Sequence, residues 1–210
     1  MSDLAVPASP VVAVVEDDPA VRDALSSLLA STGRLVVTHD SAEAFMRAAE
    51  REVPDCVLLD IRLPGMDGMT LLRWIVDRLP ACSPIVLTGH GDVPMAVSAL
   101  RLGAFDFVEK PFDPDRLLDS IAEAIEHGRR RARDAEEIAA LRRRLADLTP
   151  REREVMDQVT RGMSNKMVAI ELKISPRTVE IHRANVMEKM QARTISDLVR
   201  MTIALEGRER

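Results

Sequence analysis

The stretch Val57-Leu58-Leu59-Asp60 decides how the first half of this chain folds. Three consecutive apolar residues are typical of a strand that is buried on both faces, as the inner strands of a parallel sheet are. A carboxylate ends the strand, and the Pro64-Gly65 dipeptide beyond it is a turn signal. Open α/β sheets bind ligands at the carboxyl ends of their strands. Asp60 is therefore either a helix cap or part of a binding site, and the rest of the sequence must decide.

The composition is that of an ordinary globular protein with one or two domains. The chain has 210 residues, of which 46% are hydrophobic and 30% are charged. It contains neither a run of roughly 18 apolar residues for a membrane helix nor a secretory signal. Cys56 and Cys82 have no spacing that indicates a disulfide framework or a metal site. We therefore expect a cytoplasmic protein with reduced thiols.

The charge is distributed unevenly along the chain. Residues 1–127 carry 10 basic and 21 acidic side chains, a net charge of −11, although the whole chain has only −5. Residues 128–148 and residues 149–210 each have a net charge of +3. An acidic part followed by a basic part indicates two modules with different partners. The basic surplus is too small to establish nucleic-acid binding by itself.

Five short apolar runs in the first half predict strands, and each is followed by apolar residues at helical spacing. After the first run, for example, Val21, Leu25 and Leu28 fall on one helical face. Alternation of strands and helices predicts an α/β domain with a parallel sheet. The predicted strands are Val11–Val15, Leu35–Val37, Cys56–Leu59, Ile85–Leu87 and Ala104–Val108.

The second half is helical by pattern. Residues 128–147 are rich in Arg, Glu and Ala, and the apolar residues Ile138, Leu141, Leu145 and Leu148 follow a 3-4-3 spacing. Two readings remain open, a solvated helical linker and a short dimer seam, because sustained coiled coils need three or four heptads.

Residues 148–206 form a separate module with helix-turn-helix spacing. Thr149-Pro150-Arg151-Glu152 has the pattern of a capping box with proline in the first turn. Two predicted helices, 164–172 and one that begins at Ser175-Pro176 and reaches about Met190, are separated by two or three residues. The second of them is longer and charged, as in a helix-turn-helix motif.

Polar side chains directly follow four of the five predicted strands. Asp17 and Asp18 follow the first strand, Asp60 the third, Thr88 the fourth and Lys110 the fifth. A parallel sheet brings these strand ends to one edge. Clustered carboxylates repel each other unless a cation joins them, and an all-oxygen site beside a lysine favours Mg²⁺. An aspartate can itself be a nucleophile that forms an aspartyl phosphate.

Four stretches of the first half resemble the receiver domains of two-component response regulators. The resemblance covers about residues 10–127 and implies a flavodoxin-like sheet of order 2-1-3-4-5. It also implies that Asp60 accepts phosphate from a histidine kinase. The stretches are Val-Val-Glu-Asp-Asp-Pro (14–19), Leu-Leu-Asp-Ile-Arg-Leu-Pro-Gly-Met-Asp-Gly (58–68), Leu-Thr-Gly-His-Gly-Asp (87–92) and Phe-Asp-Phe-Val-Glu-Lys-Pro-Phe (105–112).

The resemblance carries specific expectations for the metal site. Asp18 and Asp60 are expected to bind Mg²⁺ directly together with the backbone carbonyl of Arg62, and Asp17 partly through water. His90 and Arg62 lie beside the phosphorylation site, where they could influence the attacking water.

A second set of expectations concerns the switch. Thr88 and Lys110 are expected to contact the phosphoryl oxygens, and Lys110-Pro111 resembles the cis peptide of the family. Phe107 occupies the position of the aromatic switch residue, which is often tyrosine, and it lacks the hydroxyl for an outward hydrogen bond. By its pattern alone, Phe107 could equally be a core residue.

The basic module resembles the LuxR-type DNA-binding domain, and the two halves together resemble the NarL/FixJ subfamily of response regulators. Nearly the whole chain is covered by the two resemblances. The matching stretches are Leu-Thr-Pro-Arg-Glu-Arg-Glu-Val (148–155), Gly-Met-Ser-Asn-Lys-Met-Val-Ala-Ile-Glu-Leu (162–172) and Ile-Ser-Pro-Arg-Thr-Val-Glu-Ile-His-Arg-Ala-Asn-Val-Met-Glu-Lys-Met (174–190).

Helical spacing separates the two faces of the longer helix of this motif. Val179, Val186 and Met190 should pack inward, with His182 beside them as a packing residue or a backbone contact. The opposite face is expected to enter the major groove, where Glu180 could accept from a cytosine amino group. That face carries Arg177, Glu180, Ile181, Ala184 and Glu188.

Other residues of the motif are expected to contact DNA less specifically. Ile181 or Ala184 could touch a thymine methyl group. Basic and hydroxyl side chains position a protein on the phosphate backbone. The candidates are Lys166, Arg177, Thr178, Arg183 and Lys189.

These expectations describe a transcription factor that phosphorylation switches, either by dimerisation or by release of the basic module. The expected cofactor is Mg²⁺, and the expected partners are a histidine kinase, promoter DNA, a second copy of the chain and RNA polymerase, with no membrane contact. Two other classes remain open. One is a metal-dependent phosphohydrolase, although such enzymes carry a second acid two residues after the nucleophile, where this chain has Arg62. The other is a receiver adaptor that does not bind DNA.

Overall fold

The structure, a computed structural model, describes residues 9–89 and 93–206. The chain divides after Ala132 into two compact units. Within the residues described, no helix is both long enough and apolar enough to cross a membrane.

The first unit contains a five-stranded parallel sheet. The strands lie in the order β2-β1-β3-β4-β5, which confirms the predicted flavodoxin-like topology. The strands are β1 (Val11–Val15), β2 (Leu35–His39), β3 (Cys56–Asp60), β4 (Ser83–Thr88) and β5 (Asp106–Glu109). The helices that alternate with them are α1 (Pro19–Ala30), α2 (Ala42–Ala49), α3 (Gly68–Arg78), α4 (Val93–Leu102) and α5 (Pro114–Ala146).

Strand β3 lies at the centre of this sheet, and all five of its residues are buried. Its side chains alternate between two core clusters, as the pleat of a strand requires. Val57 and Leu59 pack in the cluster that contains Phe45, whereas Leu58 packs in the cluster that contains Leu117. Both faces are therefore covered, and Asp60 is carried to the carboxyl edge of the sheet.

Helix α3 begins very close to the end of β3. The Asp67 side chain caps this helix by accepting a hydrogen bond from the Thr70 amide at 2.9 Å. The Gly68 amide donates to the Ile61 carbonyl at 2.9 Å. A Cβ atom on Gly68 would lie only 2.3 Å from the Asp60 carbonyl oxygen. A glycine is needed here because the helix backbone approaches the strand without room for a side chain.

The second unit is built from helices, four of which follow α5. The predicted capping box is present, since Thr149 accepts from the Glu152 amide and Glu152 accepts from the Thr149 amide. Val179 and Val186 are buried, and so is Met190, as predicted. The helices are α6 (Pro150–Thr160), α7 (Asn165–Glu171), α8 (Pro176–Met190) and α9 (Ile195–Glu206).

Helix α5 continues to Ala146, so residues 128–146 are helical as predicted. Two members of the apolar 3-4-3 spacing have partners in their own unit. Leu148 is buried in a cluster with Met156 and Val186, and Leu145 packs against the same cluster. Because these two side chains already pack within their own unit, they favour a helical linker over a dimer seam.

Candidate functional site

Three charged side chains meet at the carboxyl edge of the sheet. The Lys110 ammonium lies 2.5 Å from Asp60 Oδ2 and 2.6 Å from Glu16 Oε2. Asp60 is 8% exposed and Glu16 is 1% exposed, although both carry a charged group. Parallel strands produce this meeting, because Glu16 follows β1, Asp60 ends β3 and Lys110 follows β5. Lys110 therefore joins two buried carboxylates that lie far apart in sequence.

The loop after β1 is held by its backbone. The Glu16 amide donates to the His39 carbonyl at 3.1 Å, which extends the pairing of β1 and β2 by one step. The Arg22 guanidinium donates to the carbonyl oxygens of Glu16 at 2.7 Å and of Asp17 at 3.2 Å. Arg22 thus fixes the two acidic residues that the sheet presents at this edge.

Burial and neighbouring charges shift the pKa values of Glu16 and Lys110 in opposite directions. Burial raises the pKa of the Glu16 carboxyl above its ordinary value; the Lys110 ammonium opposes this rise, and the Asp60 carboxylate adds to it. Burial alone would lower the pKa of Lys110, but its hydrogen bonds to Asp60 and Glu16 outweigh burial and raise it. Lys110 therefore remains protonated, and one positive charge faces two carboxylates.

Carboxylate oxygens of Glu16, Asp17 and Asp60 lie within 4.8 Å of one another, which is close enough to share a metal ion. This set differs from the predicted ligands, which were the carboxylates of Asp17, Asp18 and Asp60 and the backbone carbonyl of Arg62. The Asp18 carboxylate instead caps α1 by accepting from the amides of Ala20 at 2.8 Å and Val21 at 3.4 Å. In the structure Asp18 is therefore the N-terminal cap of α1.

Sequence reasoning missed Glu16. Glu16 is the first residue after β1, and that position alone puts its side chain at the edge of the sheet. The signal was available in the run Glu16-Asp17-Asp18, because the predicted strand Val11–Val15 ends directly before Glu16, as it does in the structure. An all-oxygen donor set with two buried members fits a hard divalent cation such as Mg²⁺.

The remaining described residues predicted for this site lie on β4 and β5 and in the loops after β3 and β5. The Arg62 amide donates to Asp60 Oδ1 at 2.8 Å, while the Arg62 side chain is exposed. Thr88 is buried at the end of β4, and its carbonyl accepts from the Lys110 amide at 2.7 Å. Phe107 on β5 is half-buried and packs against a core cluster. The predicted cis peptide between Lys110 and Pro111 is present.

Part of the loop after β4 lies outside the described residues. His90 belongs to that part, so its expected position beside Asp60 stays a prediction.

The second candidate surface is the outer face of α8. Arg177, Glu180, Ile181 and Ala184 are exposed on one side of this helix, while the apolar face packs inward. Ser175 caps the helix by accepting from the Thr178 amide at 3.0 Å, and the Thr178 hydroxyl lies 2.8 Å from the Ser175 hydroxyl.

Several candidate DNA contacts are engaged within the unit. Arg183 donates to Asn165 Oδ1 of α7 at 2.9 Å, which holds its guanidinium at the surface between two helices. Lys189 lies 2.7 Å from the buried Glu152 carboxylate, so its ammonium already has a structural partner. His182 is half-buried and its Nδ1 atom is enclosed, which favours packing over backbone contact. Lys166 is exposed on α7.

A parallel sheet of this order with an aspartate, a second acid and a lysine at its carboxyl edge is the architecture of a receiver, and a helix-turn-helix unit follows it. Family models match both parts. Residues 12–122 match the response regulator receiver domain, and residues 146–202 match the bacterial regulatory proteins of the luxR family.

Curated relatives cover nearly the whole chain. The transcriptional regulatory protein FixJ of Bradyrhizobium diazoefficiens is 47% identical over 90% of this chain and 93% of that protein. FixJ of Rhizobium meliloti is 45% identical over 91% of this chain and 94% of that protein.

Solved structures agree with these relatives. The response regulator StyR matches with a TM-score of 0.81 and 37% identity, covering 93% of this chain and 98% of that one. Full-length FixJ from B. japonicum matches with a TM-score of 0.58 and 44% identity, covering 94% of this chain and 98% of that one. The chain belongs to the two-component response regulators and is a DNA-binding, LuxR-type member of that family.

Proposed function

We propose that Asp60 accepts a phosphoryl group from a histidine kinase and that this phosphorylation controls DNA binding by the second unit. In this proposal, residues 10–127 form the phosphoacceptor domain, residues 128–147 form the helical linker, and residues 148–206 form the DNA-binding domain. The observation that carries the proposal is the cluster in which Lys110 lies within 2.6 Å of both Asp60 and Glu16.

The chemistry requires an accessible carboxylate oxygen and positive charge around it. An Asp60 oxygen would attack the phosphorus atom of a phosphohistidine, the N–P bond would break, and an acyl phosphate would form on Asp60. The Lys110 ammonium could contact the phosphoryl oxygens after the transfer, because it already contacts Asp60 Oδ2. Its protonated state lets it pair with a phosphoryl oxygen as it now pairs with the carboxylate.

We propose Mg²⁺ as the cofactor, held by Asp17 and Asp60 with Glu16 beside them and the Arg62 carbonyl as a further oxygen ligand. When bound, the ion supplies positive charge to the phosphoryl oxygens. Asp18 is left out of this ligand set because its carboxylate is committed to the first turn of α1.

The phosphoryl group would change the neighbouring strands through Thr88 and Phe107. Thr88 ends β4 beside Asp60 and would move toward the phosphoryl oxygens. Phe107 has no hydroxyl, so its response is a change of packing rather than a new hydrogen bond. Val97 and Leu100 on α4 are 42% and 40% exposed, and such side chains could be covered when two receivers pair. Dimerisation, release of the DNA-binding unit, or both, would follow, and RNA polymerase would be the partner at the promoter.

The first test measures phosphorylation directly. The full chain is incubated with phosphoramidate, whose P–N bond resembles that of phosphohistidine, with Mg²⁺ or with a chelator. Mass spectrometry should find one phosphoryl group on Asp60 only when Mg²⁺ is present, and Asp60→Asn should remain unmodified. Asp40→Asn is the matched control, because Asp40 is an exposed aspartate after β2 that lies outside the cluster. Equal labelling of the Asp60→Asn chain would refute the assignment.

The second test links phosphorylation to DNA. Genomic DNA fragments are selected by the full chain with and without phosphodonor, and the mass of the complex is measured in parallel. We expect stronger selection and a larger mass after phosphorylation. Identical selection by phosphorylated wild type and by Asp60→Asn would contradict the proposed switch, and failure to select any DNA would favour the adaptor class.

A further inference from the structure

The exposed face of α8 carries an ion pair of opposite charges. Arg177 and Glu180 are one helical turn apart, and the guanidinium lies 3.3 Å from the carboxylate. Their side chains are 81% and 52% exposed, so neither is held by the core of the unit. Ile181 and Ala184 lie exposed on the same face. Arg177 and Glu180 lie in the N-terminal half of the helix, which is the part of a recognition helix that meets base edges.

A carboxylate is an unusual group to turn toward DNA. Glu180 repels phosphate oxygens, so its presence on this face does not support backbone binding. In the major groove it can only accept hydrogen bonds, and the donors there are the amino groups of cytosine and adenine. Base-edge contact therefore explains its position better than backbone contact does.

The Arg177 guanidinium beside it needs hydrogen-bond acceptors, whereas the Glu180 carboxylate needs donors. Guanine presents two adjacent acceptors, O6 and N7, which match the two parallel N–H groups of an arginine. A C·G base pair places the cytosine amino donor next to these two acceptors on one major-groove edge. An A·T pair also offers a donor next to an acceptor, but its neighbouring oxygen belongs to thymine, where the guanidinium would find a single acceptor beside a methyl group.

We propose that Arg177 and Glu180 act as one unit that recognises a C·G base pair in each half-site. Arg177 donates to guanine O6 and N7, and Glu180 accepts from the amino group of the paired cytosine. Each side chain also orients the other through their ion pair. This inference rests on the proposed DNA binding by α8, and it gives Arg177 a base-reading role in place of the phosphate contact expected from the sequence.

The test compares the sequences that full-length variants select. Randomised DNA is selected in the presence of Mg²⁺ and phosphoramidate by wild type, Arg177→Ala, Glu180→Ala and the double variant. Asp157→Ala is the matched control, because it removes an exposed carboxylate from the same unit but from α6, outside the predicted recognition face. Circular dichroism checks that each variant keeps the helical content of wild type, as expected for exposed side chains.

We expect the wild-type motif to contain a C·G position whose preference is lost in both single variants while the other positions are kept. Affinity for the wild-type site should fall by about 5- to 150-fold in each single variant, the range for one good base contact. The double variant should lose little more than the worse single variant, because the two side chains act together. Asp157→Ala should keep the motif and should not weaken binding.

Three results would overturn the inference while leaving DNA binding intact. One is that Arg177→Ala weakens binding to every sequence equally and reduces the salt slope by about one, the behaviour of a phosphate contact. Another is that the two single variants relax preference at different positions. The third is that Asp157→Ala relaxes the same position as Glu180→Ala. A wild-type chain that selects no motif would instead overturn the proposed function and this inference with it.

Discussion

Gly68 should be essential for the position of the phosphoacceptor, and Gly68→Ala tests this. The glycine begins α3, and a Cβ atom there would lie 2.3 Å from the Asp60 carbonyl oxygen and 2.6 Å from Ile61 Cα. Both of these atoms belong to the backbone, so a side-chain rotation cannot relieve the overlap. The first turn of α3 or the end of β3 must move.

The size of the movement follows from the contact distance. Ordinary contacts of a Cβ atom begin at 3.4 Å, so the two segments must separate by about 1 Å. Overpacking of this kind typically costs about 1 to 3 kcal/mol of stability. A misplacement of about 1 Å in a reacting group can slow its chemistry by about 100-fold. We expect phosphorylation of Asp60 to slow by roughly 10- to 100-fold, because its carboxylate must keep its 2.5 Å contact with Lys110.

The assay distinguishes an effect on the position of Asp60 from an effect on the stability of the first unit. The initial rate of phosphorylation by phosphoramidate is measured by mass spectrometry, and unfolding of the first unit in urea is followed by fluorescence of Trp74, the single tryptophan. Gly128→Ala is the matched control, since its Cβ would lie 2.3 Å from the Ala81 carbonyl oxygen, before the start of β4 and thus at the other edge of the sheet. Both variants should be destabilised, but only Gly68→Ala should react slowly. Equal rates in the two variants would refute the argument that this close approach positions Asp60.

Three further predictions concern the charged residues. Asp17→Ala should abolish Mg²⁺ binding in isothermal titration calorimetry, whereas Asp18→Ala should retain it and lose about 1 kcal/mol of stability with its helix cap; the reverse result would restore Asp18 as a ligand. Lys189→Met should destabilise the second unit by about 1 to 3 kcal/mol in hydrogen-exchange measurements, because the buried Glu152 carboxylate loses its cation; unchanged exchange would contradict this. The hydrogen bond from Lys189 lowers the pKa of Glu152 to about 2, so its stabilising contribution is complete above pH 4.5 and is lost as the pH falls toward 2. The protection factors of the α6 amides, which remove the intrinsic pH dependence of exchange, should therefore fall across that range in wild type, and Glu152→Gln should show a smaller change.

Much of the fold was predictable because local patterns and long-range packing agree. The run Val57-Leu58-Leu59 predicts a strand buried on two faces, and its side chains enter two different core clusters. The capping box at Thr149 was predictable because its two hydrogen bonds join residues only three positions apart. Ser41 shows the limit of such local reasoning. It stands at a helix start, but its hydroxyl donates to Asp40 at 2.9 Å and makes no capping bond.

The charged residues were harder to assign, because each carboxylate or ammonium has several partners available and the sequence does not rank them. Asp18 could bind a cation or cap α1, and in the structure its oxygen faces two helix amides. Lys189 lies on the predicted DNA-binding helix, yet its closest partner is Glu152, which is 37 residues earlier in the chain. Only the three-dimensional packing of α6 against α8 brings that pair together.

The charge balance around Asp60 explains why phosphorylation should require a bound cation. Glu16 and Asp60 are buried, and Lys110 supplies a single positive charge between them. A phosphoryl group would bring nearly two negative charges at neutral pH into this cluster. Asp60 loses its own carboxylate charge when the acyl phosphate forms, but Lys110 cannot neutralise the phosphoryl oxygens and the Glu16 carboxylate at once, and burial already raises the pKa of Glu16. The phosphorylated state therefore requires more positive charge than the described side chains of the cluster supply, and the proposed divalent ion, held by the carboxylates that include Asp17, would provide it.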